Sequence, residues 1–203
     1  ATAITMIIGV AASIPINLYA FLIALAFALL SIAYAYKLKE LLFWGNAYVA
    51  FAMVIPFIYG DFVVSTHFAY TIIVVSVMIF FAGLAREIHG TIRDYSGDVK
   101  VRNAHTIPKA IGKKRAALLS LILYFIAIGI SIYAALAVKP FALNILYIVF
   151  IAISDILLLS VALGYLNNET EEFYRRARNI SLLAMAIALI AVLISAALPE
   201  IAF

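Results

Sequence analysis

Long apolar runs, broken at intervals by charged residues or by Gly, Pro and Asn, dominate this 203-residue chain. Six of them, at residues 16–36, 43–60, 67–91, 116–138, 141–166 and 180–198, come close to the roughly 20 residues a helix needs to cross a hydrocarbon core. The runs are continuous, not alternating, so helices are expected in place of barrel strands: lipid offers backbone N–H and C=O groups no partner, and a helix satisfies its own. A shorter run, 1–13, would reach only about 20 Å into a core roughly 30 Å thick, at ~1.5 Å per residue. It reads as the end of a cut helix, because a secretory signal peptide opens on a basic region and no Lys or Arg precedes Lys37. The expected fold is all-α: a polytopic transmembrane helix bundle of six full spans plus a cut N-terminal helix, one domain over residues 1–203 that is incomplete at its N-terminus.

Composition agrees with that reading. With 67% hydrophobic and 12% charged residues and a mean hydropathy of +1.17, the chain has too little polar surface to cover a soluble core. Alternating the spans places thirteen of the fourteen Lys and Arg on one side, with Lys139 alone opposite. Basic loops are retained in the cytoplasm, so Lys37, Arg93 and Arg176 are expected there, at a cell-membrane location. The pI of about 9.3 is therefore a topology signal and gives no reason to expect a nucleic-acid partner. The absence of cysteine excludes disulfides, thiolate metal sites and a Cys nucleophile. No soluble domain, low-complexity linker or short repeat interrupts the pattern.

The densest polar stretch is residues 86–100, and it holds Asp94 and Asp98 four apart with Glu87 seven before Asp94. A helix continuing through it would align all three carboxylates on one face. Carboxylates are hard ligands suited to Mg²⁺ shared with substrate phosphates, and Arg86, Arg93, Lys100 and Arg102 add anion donors. Spacing alone leaves a plainer reading open: acids at a helix end are often merely solvated, and cytoplasmic loops collect basic residues for insertion.

The string R-E-I-x5-D-x3-D from Arg86 to Asp98, followed by Thr106-Ile107-Pro108 and Gly112, resembles the second Asp-rich motif of the UbiA-type intramembrane prenyltransferases. Tyr34-Ala35-Tyr36-Lys37-Leu38-Lys39 and Gly45-Asn46 resemble the same family in place and order. The wording is most similar to the archaeal digeranylgeranylglyceryl phosphate synthases, with the aromatic-acid prenyltransferases of quinone synthesis as the alternative. The resemblance implies nine helices and a first Asp-rich motif after the second; that motif and those first two helices are not found in this sequence. It also implies Mg²⁺-dependent transfer from an allylic prenyl diphosphate, such as geranylgeranyl diphosphate, to an amphipathic glycerol-phosphate ether or an aromatic acid, among membrane lipid.

On that resemblance Asp94 and Asp98 would bind Mg²⁺, with Glu87 as a further ligand or a support behind it. Lys37, Arg86, Arg93 and Lys39 would contact diphosphate or an anionic acceptor. Tyr34, with Tyr36 beside it, would steady a passing carbocation through its ring face. Asn46 would hydrogen-bond the diphosphate or else cap its helix. His67 and His89 lack metal-site spacing and are read as interfacial or structural. Asp155, alone in an apolar run, would bind the acceptor or lock two helices together. A carrier or channel is the rival class, since intramembrane Asp155 and interrupted spans also occur in transporters, although the ionisable groups gather at one face and form no path through the midplane. A structural membrane protein with an acidic docking loop is third.

Overall fold

The structure, a computed structural model, describes residues 2–38, 41–101 and 106–198, with the backbone alone at residue 2 and along 96–101. It is helical, in the order α1 (Thr2–Ser13), α2 (Leu18–Tyr36), α3 (Trp44–Val64), α4 (Tyr70–Val101), α5 (Ile107–Ile111), α6 (Lys113–Ala137), α7 (Ile145–Asn167) and α8 (Glu171–Ala197). Six of these are long and apolar enough to cross a membrane, and the molecule is an integral membrane protein. Consecutive spans pack as neighbours, and the basic ends expected to be cytoplasmic lie at one end of the bundle.

Several boundaries differ from the hydropathy reading. α4 continues through Val101 instead of stopping at residue 91, so the Asp-bearing stretch is helix and not a surface turn. α8 begins at Glu171, not residue 180: Thr170 caps it by accepting from the Phe173 N–H, and Glu171 and Glu172 complement the positive helix end. Arg175, Arg176 and Arg178 therefore project from a helix, where a loop was expected. α7 begins at Ile145 after a turn that buries Phe141. Its Asn144 side chain accepts from the N–H groups of Leu146 and Tyr147. Short polar helices and charged first turns are invisible to a hydropathy window, because caps and tertiary packing hold them, not apolarity.

Small residues let the helices approach. Gly83 on α4 faces Ala50 on α3 so closely that a Cβ there would lie 3.0 Å from Met53 Sδ and 3.5 Å from Ala50 Cα. Ala85, Ile88 and Ile92 of α4 pack on Ala116, Ala117 and Tyr124 of α6. Hydroxyls supply cross-links: Tyr48 donates to Ser31 (2.7 Å) between α3 and α2, and Ser154 donates to the Ala184 carbonyl (2.8 Å) between α7 and α8. In lipid this combination of close packing and interhelical hydrogen bonds is what drives helix association. Many apolar side chains of α1 and α2 remain exposed, among them Ile7, Leu18 and Leu29.

Candidate active site

α4 carries the candidate site residues at its basic end. At about 100° per residue, Glu87, Thr91, Asp94 and Asp98 fall on one row of the helix, and Arg86, His89 and Arg93 on a second. Gly90 lies between the rows, and a Cβ built on it would meet nothing within 4 Å. The helix thus presents carboxylates on one flank, guanidinium groups on the other and open space in the middle.

Glu87 of the acidic row is also within reach of α2 and α3. Tyr34 stacks on Tyr48 with ring centroids 4.2 Å apart, and its hydroxyl is within electrostatic reach of Glu87. Because α3 and α4 run antiparallel and Ala50 meets Gly83, one turn further places Asn46 at the level of Glu87. Asn46 is the third residue inside α3, whose cap position is Phe43, so the capping role is excluded. Lys37 ends α2 with an exposed side chain. Tyr36 is 82% exposed and lines the groove between α1 and α2, away from the acids. Lys39 and Arg102 lie outside the described residues, as do the side chains of Asp98 and Lys100.

The basic row looks toward α7 and α8. A polar cavity of about 190 Å³ lies there, bounded by Arg86, Glu87, Arg93 and Asp94 on α4, Tyr165 on α7 and Arg178 on α8, with Gly90 and His89 also in its wall. His89 is buried and stacks on Tyr165, centroids 3.8 Å apart and planes 3° from parallel. Its Nε2 meets Ser120 Oγ at 2.6 Å. Ser120 donates its proton to the Ala117 carbonyl, so Nε2–H is the donor to Ser120 and Nδ1 is left as a free acceptor.

Glu87 and Asp94 are each tied to the arginine before them. Arg93 grips Asp94 through two bonds, Nε–Oδ1 at 2.7 Å and Nη2–Oδ2 at 2.9 Å, and Arg86 Nη1 meets Glu87 Oε1 at 3.3 Å. Among the described residues, six buried side-chain polar atoms lack a hydrogen-bond partner, and five belong to this end: Asn46 Nδ2, Arg86 Nε, His89 Nδ1, Thr106 Oγ1 and Tyr124 OH. Unsatisfied buried polar atoms are costly, and a polar ligand at this end would relieve that cost.

The residues also suit a divalent cation. No three His, Asp or Glu converge among the described residues, and Glu87 and Asp94 stand two turns, about 10 Å, apart along the axis. One or two carboxylates completed by substrate phosphate and water is the usual environment of Mg²⁺, and the acidic row offers that.

Asp155 stands elsewhere. It lies on the wall of a second, apolar cavity of about 280 Å³ that includes Met53, Phe57, Met78 and Met185. Ala82 and Met185 there are one turn from Arg86 and Ser181 of the polar cavity, so the two cavities succeed one another along α4 and α8. Sequence reasoning missed Gly90, Tyr165, Arg178 and Ser181; the i, i+3, i+7 spacing of Arg86, His89 and Arg93 was the one local signal of a second row.

The sequence pattern of the UbiA prenyltransferase family matches residues 1–190. The chain is 33% identical over 157 residues to digeranylgeranylglyceryl phosphate synthase of Archaeoglobus fulgidus, covering 77% of this chain and 53% of that protein. It is 32% identical over 190 residues to the synthase of the same name from Thermococcus gammatolerans, covering 93% of this chain and 66% of that one. A solved structure concerned with digeranylgeranylglyceryl phosphate synthase in membranes superposes with a TM-score of 0.80 at 26% identity, covering 96% of this chain and 67% of that one. The chain spans about half to two thirds of the length of these relatives.

Proposed function

The chain belongs to the UbiA prenyltransferase family, and we propose that the protein carrying it transfers an isoprenoid chain from an allylic prenyl diphosphate, of the geranylgeranyl class, to a glycerol-phosphate ether. The observation that carries this reading is the two-row end of α4. Carboxylates for a metal and arginines for phosphate meet over the open flank at Gly90, at the polar mouth of a cleft that becomes apolar one turn deeper. An amphipathic substrate with an anionic head and an isoprenoid tail has that same division.

Enzymes of this family are generally metal-dependent, and Mg²⁺ is the proposed ion, held by Asp94 and Asp98 with Glu87 alongside. Bound there, it would neutralise the diphosphate as leaving group. Lys37 donates to diphosphate oxygens, and Asn46 Nδ2, buried without a partner, supplies a further donor. The stacked rings of Tyr34 and Tyr48 offer a π-face to positive charge developing on the allylic carbon. In the transfer the C1–O bond to diphosphate breaks, the acceptor hydroxyl oxygen bonds to C1, and that hydroxyl gives up its proton to the departing diphosphate. The apolar walls keep water from capturing the cation first. The basic side of the membrane is taken as cytoplasmic.

The test is a radiolabelled transfer assay on the full-length protein with geranylgeranyl diphosphate, offering a glycerol-phosphate ether and an aromatic acid in parallel, with and without Mg²⁺. Transfer to the ether is expected. Transfer only to the aromatic acid would move the protein to the quinone branch, and transport without transfer would make it a carrier.

A further inference from the structure

We propose that Arg178 and Ser181 of α8, facing Arg86 and Arg93 of α4, form a pocket for the phosphate monoester of the acceptor, beside the acidic row that serves the diphosphate and whose Glu87 and Asp94 share its wall. The inference rests on the transfer reading above and adds where the second substrate binds.

Its first support is angular. Arg86 and Arg93 lie on the flank of α4 that faces α7 and α8, whereas Glu87, Asp94 and Asp98 lie roughly 100° round the helix. Two anionic groups can therefore approach α4 from different sides and meet over Gly90, where a Cβ would touch nothing within 4 Å.

The second is donor capacity. Arg178 borders the cavity, and its guanidinium makes no hydrogen bond or ion pair among the described residues, although Arg176 nearby is paired with Glu172. Arg86 Nε is buried with no partner, and Arg93 spends only Nε and one Nη2 proton on Asp94. Three guanidinium groups face two carboxylates in this cavity, and once the carboxylates are engaged by a metal the arginines are left for an anion. Forked donors of this kind match phosphate geometry.

The third is depth. One turn below Ser181 and Arg86 the same pair of helices lines the apolar cavity of about 280 Å³, so a phosphate on Arg178 directs an attached isoprenoid tail into it. A soluble phosphate gains nothing from that cavity; an amphipathic one does.

The test compares wild type with Arg178→Gln in the full-length protein. The acceptor KM is expected to rise about tenfold or more, as befits a lost charge-assisted phosphate contact, with the donor KM and melting temperature unchanged. An unchanged acceptor KM, or a rise confined to the donor, overturns the pocket. Binding of a geranylgeranyl ether of glycerol 1-phosphate and of inorganic phosphate is measured in parallel, with Mg²⁺ and without donor. Binding of the ether that is lost in Arg178→Gln supports the pocket even where wild type shows no transfer, in which case only the transfer reading falls. Equal binding of the ether in both proteins, or inorganic phosphate binding as tightly as the ether, overturns the assignment to an acceptor.

Discussion

Ser131 of α6 donates a 2.6 Å hydrogen bond to Oδ2 of Asp155 on α7 while the same hydroxyl also points at the Ile128 carbonyl 2.8 Å away. One proton serves two acceptors, and the contact ties the middle of two spans at the edge of the apolar cavity. Of the two roles open to Asp155, this geometry favours the interhelical lock.

Asp155→Asn is expected to keep the tie, because an amide N–H can donate to Ser131 and free the hydroxyl proton for Ile128. Its melting temperature should stay within about 1 °C of wild type. Asp155→Leu removes an interhelical hydrogen bond worth roughly 0.6–1.7 kcal/mol in membranes, and should lower Tm by about 1–6 °C. Thermal melts in detergent read both. A raised acceptor KM in Asp155→Asn at unchanged Tm would return the residue to substrate binding.

Asp94→Ala should reduce transfer at least ~100-fold without disturbing insertion, since the Asp94 side chain is 53% exposed and its bond to Arg93 lies within one turn of α4. Chelating divalent cations from wild type should give a loss of the same size. Residual Mg²⁺-dependent transfer near the wild-type rate in Asp94→Ala would remove the residue from the metal site.

Gly164→Ala should destabilise the joint between α7 and α8. A Cβ at residue 164 would sit 2.5 Å from two ring atoms of Phe173, and Phe173 is already edge-on to Tyr165, whose ring stacks on His89. The ring must move, at a cost of about 1–3 kcal/mol, and the displacement reaches the wall of the polar cavity. The expected result is a lower Tm together with a raised acceptor KM. The double substitution Gly164→Ala with Phe173→Leu should recover much of the lost Tm.

Single-cysteine variants Lys37→Cys, Arg93→Cys and Arg176→Cys should be labelled from the cytoplasmic face alone, the native chain having no cysteine to interfere. Labelling of any of them from outside intact cells would reverse the assignment of sides.

The sequence by itself determined the number of the spans, the clustering of charge at one end and the acidic row of α4. Each follows from a local rule: hydrocarbon thickness sets run length, insertion sets the placement of basic residues, and the 3.6-residue turn of roughly 100° per residue puts Glu87, Asp94 and Asp98 on one face once the stretch is helical. The motif from Arg86 to Asp98 belongs to that local information as well. What only the tertiary structure decided is which groups meet across helices. Ser131 and Asp155 are 24 residues apart and His89 and Ser120 are 31 apart, and Arg178 comes to the cavity of Arg86 from the other end of the chain. Hydropathy is blind to such pairings in a membrane protein, because lipid-facing and helix-facing surfaces are equally apolar, so no pattern of apolar positions reveals which face turns inward. Close packing of small residues such as Gly83 against Ala50 makes that choice, and with it places the second row of α4 against α8.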